Sequence, residues 1–133
     1  MIVDSSAIVA IVMRETDRES FIRALAQGAP ASISASTLLE ASIVLLARMP
    51  DAPAFTEIDQ LIQSAGIEIQ PTTHTDAIAA REAFRLYGKG RGHPAGLNFG
   101  DCFTYALARR LGRPILCKGD DFKHTDAAIV ALA

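Results

Sequence analysis

Short strand-like runs alternate with helical stretches along this chain, and that alternation limits the fold more than any other feature. Ile2-Val3 is an apolar pair ending in Asp4. Ser32-Ile33-Ser34, Ile67-Glu68-Ile69 and Pro114–Cys117 are the other runs of strand length. Between them lie segments with helical spacing. Residues 7–13 follow two serines that can cap a helix, and Thr16-Asp17-Arg18-Glu19 reads as a capping box opening a helix to about Gln27. Further helices are predicted over 35–48, 51–64, from a cap at Thr75 or Asp76 to Tyr87, and over 100–111. Gly88 to Gly96 holds four glycines and a proline and reads as a loop. Residues 127–132 fit a last edge strand or a helical turn. Short strands separated by helices imply an α/β fold: a three-layer α/β/α sandwich around a short parallel sheet covered on both faces. The functional crevice of such a sheet lies beyond the carboxyl ends of its strands. Asp4 and the pair Asp120-Asp121 fall at that edge.

Composition removes several classes. A chain of 133 residues is expected to form one domain spanning 1–133. Half of it is hydrophobic and 21% is charged, which excludes a disordered tail. No apolar run reaches the length of a membrane span, and an acid at position 4 with no basic leader argues against a signal peptide. Two cysteines make no disulfide framework and no Cys/His cluster has zinc spacing, so a cytoplasmic location is expected. Charge is divided unevenly. Residues 1–80 carry four arginines against ten acids, whereas 81–133 carry nine Lys/Arg against five acids. The basic half suits an anionic partner, although a solvated basic face reads the same way.

Four acidic positions stand among apolar or small residues: Asp4, Glu40, Asp101, and Asp120 or Asp121. Each has a plain structural reading. Asp4 can cap the helix after it. Glu40 stands three residues after Thr37, which is capping-box spacing. Asp101 lies in a first helical turn and interacts with the helix dipole. One of the Asp120-Asp121 pair suits a turn. Those readings do not explain why one sheet edge would collect Asp4, the start of the Asp101 helix and the Asp120-Asp121 turn. Buried carboxylates facing one cleft repel, and a divalent cation removes the conflict. All-oxygen donors favour Mg²⁺ or Mn²⁺.

These residues carry a family resemblance. Met1-Ile2-Val3-Asp4-Ser5-Ser6-Ala7, the Ser36–Val44 segment around Glu40, Tyr87-Gly88-Lys89-Gly90 through Asn98-Phe99-Gly100-Asp101-Cys102, and Lys118-Gly119-Asp120-Asp121-Phe122 with Thr125-Asp126 occur in order over nearly the whole chain. The chain resembles PIN domains, and more narrowly the VapC toxins of bacterial type II toxin–antitoxin pairs. The resemblance implies a Mg²⁺-dependent ribonuclease, with Mn²⁺ able to substitute. It implies metal held mainly by Asp4 and Asp101, and catalytic roles for Asp4, Glu40, Asp101 and Asp121. The product ends would be a 5′-phosphate and a 3′-hydroxyl. Many PIN domains carry Thr-x-Asp-x-Asp-Phe where this chain has a motif one residue shorter. Either aspartate can be the fourth acid, and Asp121 is favoured for its place beside Phe122.

Substrate grip is expected from the basic half. Lys89, Arg91 and His93 in the glycine-rich loop and Lys118 are the candidate RNA contacts, with Arg109, Arg110 and Lys123 adding to the field. Tyr87, Phe99 and Tyr105 are candidates for stacking on unpaired bases, or for core packing. A loop of tRNA or ribosomal RNA is the implied substrate. Ile8, Val9, Ile11 and Val12 make one helix apolar nearly all round, which suggests a covering partner. The resemblance implies a homodimer and a VapB-like antitoxin, joined in a heterotetramer or larger assembly. The alternative is a non-catalytic PIN-like interaction module, disfavoured because every acid is present. A receiver domain or a haloacid-dehalogenase phosphatase would want a second acid near Asp4, where Ser5-Ser6 stand.

Overall fold

Four parallel strands form the centre of the molecule, in a computed structural model that describes residues 1–133. They are β1 (Ile2–Val3), β2 (Ser32–Ser34), β3 (Glu68–Gln70) and β4 (Ile115–Leu116), in the spatial order β3-β2-β1-β4. Ile2 pairs with Ser32 on one side and with Ile115 on the other. The chain therefore moves outward from β1 through β2 to β3, then returns to place β4 on the opposite flank. That reversal beside β1 is the topological switch point at which α/β sheets bind ligands.

Six helices cover the sheet: α1 (Ser5–Val12), α2 (Arg18–Ala26), α3 (Ala35–Arg48), α4 (Ala54–Ser64), α5 (His74–Tyr87) and α6 (Phe99–Leu111). A short 3₁₀ turn spans Phe122–His124. Successive strand residues point to opposite faces, and the core divides accordingly. Val3, Ile33 and Leu116 pack with α1 to α4, whereas Ile2, Ile115 and Cys117 pack with α5 and α6. These are the three layers expected. Strands of two or three residues contribute few ladder hydrogen bonds, so burial carries most of the sheet's stability. Each fully buried Ile, Leu or Val contributes roughly 1.5–3 kcal/mol. No helix is long and apolar enough to cross a membrane.

Several boundaries differ from expectation for local reasons. The box predicted at Thr16 does not form, and Asp17 precedes α2 without a side-chain cap. Helix α4 starts at Ala54 instead of Asp51, because a residue before proline is steered away from helical backbone and Pro53 sets the start. Thr73, not Thr75 or Asp76, caps α5, and its hydroxyl and the Asp76 carboxylate close a capping box. Residues 127–132 make only one sheet bridge, Ile129 to Ile115.

The all-apolar helix has a simpler explanation than a partner. Ile8, Val9, Ile11 and Val12 are all buried within this chain, because α2, α3 and α4 close round α1. Uncovered apolar residues lie elsewhere, among them Leu39, Ile43 and Leu46 on α3, Phe55 on α4, Ile78, Phe84 and Leu86 on α5, and Phe99 at the start of α6.

Candidate active site

The carboxyl ends of β1 and β4 and the first turn of α6 meet at one edge. Asp4 leaves β1 in extended backbone and caps α1. Its Oδ2 accepts from the Ser6 amide at 3.0 Å and from the Ser6 hydroxyl at 2.6 Å. Its Oδ1 accepts from Thr104 Oγ1 at 2.7 Å, on α6. Asp4 is 2% exposed, so this carboxylate is buried and fixed from three sides. The capping role leaves Asp4 at the sheet edge where the sequence placed it.

Asp101 is placed by the start of α6. Asn98 caps that helix, its Oδ1 accepting from the Asp101 amide at 2.8 Å, while Asp101 Oδ2 accepts from the Asn98 amide at 3.0 Å. The box leaves the carboxyl group buried near other acids. Burial pushes Asp101 up to about 7, and the charges of Asp4, Asp121 and Glu40 add to the effect against the opposing Asn98 amide. The same field, after burial, helps to push the Cys117 thiol up to about 12. Cys102 is raised to about 11, so both buried cysteines are inert thiols.

Glu40 does not form the capping box that its spacing from Thr37 suggested. Helix α3 begins at Ala35 after Ser34, so both residues lie inside it. Thr37 Oγ1 instead lies 3.3 Å from Thr104 Oγ1. The Thr104 proton is directed at Asp4, so Thr37 donates to Thr104, and a hydroxyl chain crosses from α3 through α6 to β1. Glu40 Oε1 is buried without a hydrogen-bond partner. Burial raises the Glu40 pKa, the Ser5 hydroxyl partly offsets this, and the Asp4 charge adds to it.

The two aspartates after β4 behave differently. Asp120 is exposed and pairs with Lys123 at 2.7 Å, which holds its carboxyl below the ordinary range. Asp121 is also exposed, but its charge acts on Asp101. The loop is tied to α1, because the Lys118 amide donates to Ser6 Oγ at 2.9 Å.

As the side chains stand, no three His, Cys, Asp or Glu side chains close round one point. The donors nevertheless suit a hard cation of the Mg²⁺ type, which keeps several waters and takes only one or two carboxylates from a protein. The buried, unpartnered Glu40 Oε1 and the raised Asp101 are groups that such a charge would satisfy.

The cations divide into two sets. Lys118 Nζ is held by Glu15 and by Asp17, the latter at 3.2 Å, so its expected phosphate contact competes with two acids. Arg110 pairs with the buried Asp76 at 2.7 Å, Arg85 with Glu82, and Lys123 with Asp120. Lys89 and Arg91 enter no ion pair. His93 is half-buried, accepts from the Ala95 amide at 3.1 Å and meets the Tyr87 ring edge-on at 4.9 Å. Tyr105 is core, with its hydroxyl donating to Asp126, while Phe99 is 78% exposed. Sequence reasoning missed Thr104 and the parts that Thr37 and Asn98 play. The signal for the threonines was there, since each stands three residues, nearly one helical turn, from an acid.

A four-stranded parallel α/β/α fold with acids at the switch point defines a class, and comparison with known proteins agrees. A PIN-domain family model matches residues 1–128. Ribonuclease VapC30 of Mycobacterium tuberculosis is 44% identical over 132 residues, 99% of each chain. Ribonuclease VapC28 of the same species is 46% identical over 94% of this chain and 93% of its own. Among solved structures, the Mycobacterium tuberculosis toxin VapC20, described as cleaving the sarcin-ricin loop, superposes with a TM-score of 0.77 at 20% identity, covering 97% of both chains. VapBC2 from Rickettsia felis, bound to a DNA fragment from its promoter, gives a TM-score of 0.70 at 15% identity, covering 98% of this chain and 96% of that one. The chain belongs to the PIN-domain family and, within it, to the VapC ribonucleases.

Proposed function

We propose that the chain is a toxin endoribonuclease that hydrolyses RNA phosphodiester bonds with Mg²⁺, Mn²⁺ able to substitute, and that a VapB-like antitoxin neutralises it. The observation that carries this is the buried Asp101 carboxyl, pushed up to about 7 by burial and by the charges of Asp4, Asp121 and Glu40 acting on it. Asp4 and Asp101 would hold the metal. When bound, Mg²⁺ supplies positive charge that favours ionised water and stabilises a developing phosphorane. Glu40 would orient the attacking water through its carboxylate. Asp121 positions outer waters from the solvent side. Lys89 and Arg91 hold phosphates along a single-stranded loop of tRNA or ribosomal RNA, and the exposed Phe99 offers a face for an unpaired base.

Metal removal tests the reading. RNA cleavage is expected to vanish in EDTA and to return with excess Mg²⁺ or Mn²⁺. Undiminished cleavage in EDTA overturns the mechanism. The fourth acid has its own test. Asp121→Ala should lower kcat more than Asp120→Ala, because Asp121 acts on Asp101 whereas Asp120 is engaged by Lys123. The reverse order in parallel assays would assign the role to Asp120.

The antitoxin has a suitable seat. Leu39, Ile43, Phe99 and Phe103 line an apolar groove between α3 and α6, with Glu40 among its walls. An amphipathic helix fits such a groove, and a basic side chain at its end would pair with the acids and displace the metal. The chain should run as a homodimer in light scattering, and as a heterotetramer or larger with antitoxin. Ile43→Asp is expected to weaken the complex at least about tenfold, equal to 1.4 kcal/mol, with RNA cleavage retained. Unchanged affinity would move the antitoxin elsewhere.

A further inference from the structure

We propose that Gly100 is a positioning residue for the Glu40 carboxylate: the missing side chain at residue 100 is the space in which Glu40 sits. The inference rests on the reading of Glu40 as a member of the site. A Cβ at residue 100 would stand 1.5 Å from Glu40 Oε2, 2.2 Å from its Cδ and 2.7 Å from Oε1. Backbone freedom does not explain the glycine, because Gly100 lies in the first turn of α6 and outside the left-handed region that most of this chain's glycines occupy. Alanine is the better helix former at such a position. What the glycine supplies is therefore room.

The obstacle to a side chain at residue 100 is also specific. At Gly88 a Cβ would meet the Phe84 carbonyl oxygen at 2.4 Å, which is backbone and cannot yield cheaply. At Gly100 the three nearest atoms all belong to the flexible end of Glu40. A methyl group there leaves the fold intact and moves the carboxylate away from α6. Oε1 makes no hydrogen bond of its own, so the carboxylate is held by the Ser5 hydroxyl and by the room at residue 100. The close approach of α3 and α6 at this point thus sets where one acid stands relative to Asp101, the next residue along α6.

The test compares Gly100→Ala, Glu40→Ala and the double variant in full-length protein, by thermal melting and by steady-state cleavage of a fluorogenic RNA with Mg²⁺. Gly100→Ala should melt at the same temperature or higher, lose kcat at least about tenfold, and keep KM within about twofold. In the Glu40→Ala background the same glycine change should alter kcat less than about twofold, because the atoms it displaces are gone. Gly100→Ala with wild-type kcat beside a Glu40→Ala whose kcat is at least about tenfold lower but still measurable overturns the proposal and leaves the site reading standing. A Glu40→Ala with wild-type kcat overturns both. A further tenfold loss in the Glu40→Ala background shows an effect by another route and overturns the proposal. If Gly100→Ala does not fold, the double variant decides: recovery supports the clash with Glu40, and no recovery overturns it.

Discussion

Asp101→Asn should abolish RNA cleavage and at the same time stabilise the metal-free protein at neutral pH. The folded Asp101 carboxyl is pushed from its ordinary 3.8 to about 7, by burial first and then by neighbouring acids. Between those values the folded state binds more protons than the unfolded state. Stability of the metal-free protein therefore falls as pH rises through roughly 4 to 7. Asparagine carries no charge, keeps an oxygen for the Asn98 amide, and removes that slope. At about 1.4 kcal/mol per pKa unit, the gain at pH 7.5 is about 2–4 kcal/mol. Melting curves of both proteins in EDTA across pH 4–8 measure it. Asp4→Asn should lose activity equally without the gain, because Thr104 and Ser6 donate to both Asp4 oxygens and an amide accepts through only one. If either variant kept more than about a tenth of the activity, a loss below roughly 1.4 kcal/mol, that residue would not be a principal ligand.

The second large effect is structural. Arg110→Ala leaves Asp76 buried without its partner, between α5 and α6. Removing one member of a buried pair exposes the full desolvation penalty of the other, and with Arg110 partly solvated the expected loss is about 2–4 kcal/mol. Burial opposes ionisation of Asp76, but the Arg110 guanidinium and the Thr73 amide outweigh it and hold the carboxyl below its ordinary value. The pair therefore stabilises fully above pH 3.8 and is lost as pH falls through the lowered folded value. The gap in melting temperature between wild type and Arg110→Ala should shrink in strong acid. A constant gap would mean that the arginine acts through packing alone.

The strand–helix alternation and the order of the acids were legible in the sequence, because both depend on local pattern. The caps were misread for an identifiable reason. Thr16-x-x-Glu19 and Thr37-x-x-Glu40 match the usual capping-box letters, and neither forms one. The boxes that form end in aspartate, Thr73 with Asp76 and Asn98 with Asp101. The fates of Lys118 and Arg110 were hidden by distance along the chain, since their partners lie 101 and 34 residues away. The environment of α1 was equally hidden, as it depends on how three other helices close around it.

The Thr37–Thr104 contact has a consequence for how uniquely the two helices can settle. Apolar side chains tolerate sliding, because the attraction between them has no direction. A hydroxyl pair at 3.3 Å in a dry interior does not tolerate it. Slippage of α3 along α6 by one turn, about 5.4 Å, would strand the Thr37 hydroxyl and carry Glu40 past the gap at Gly100. The docking that keeps this hydroxyl pair is therefore also the one that sets Glu40 in the gap at Gly100. The place of Glu40 is thus set by folding itself, before any nucleic acid arrives.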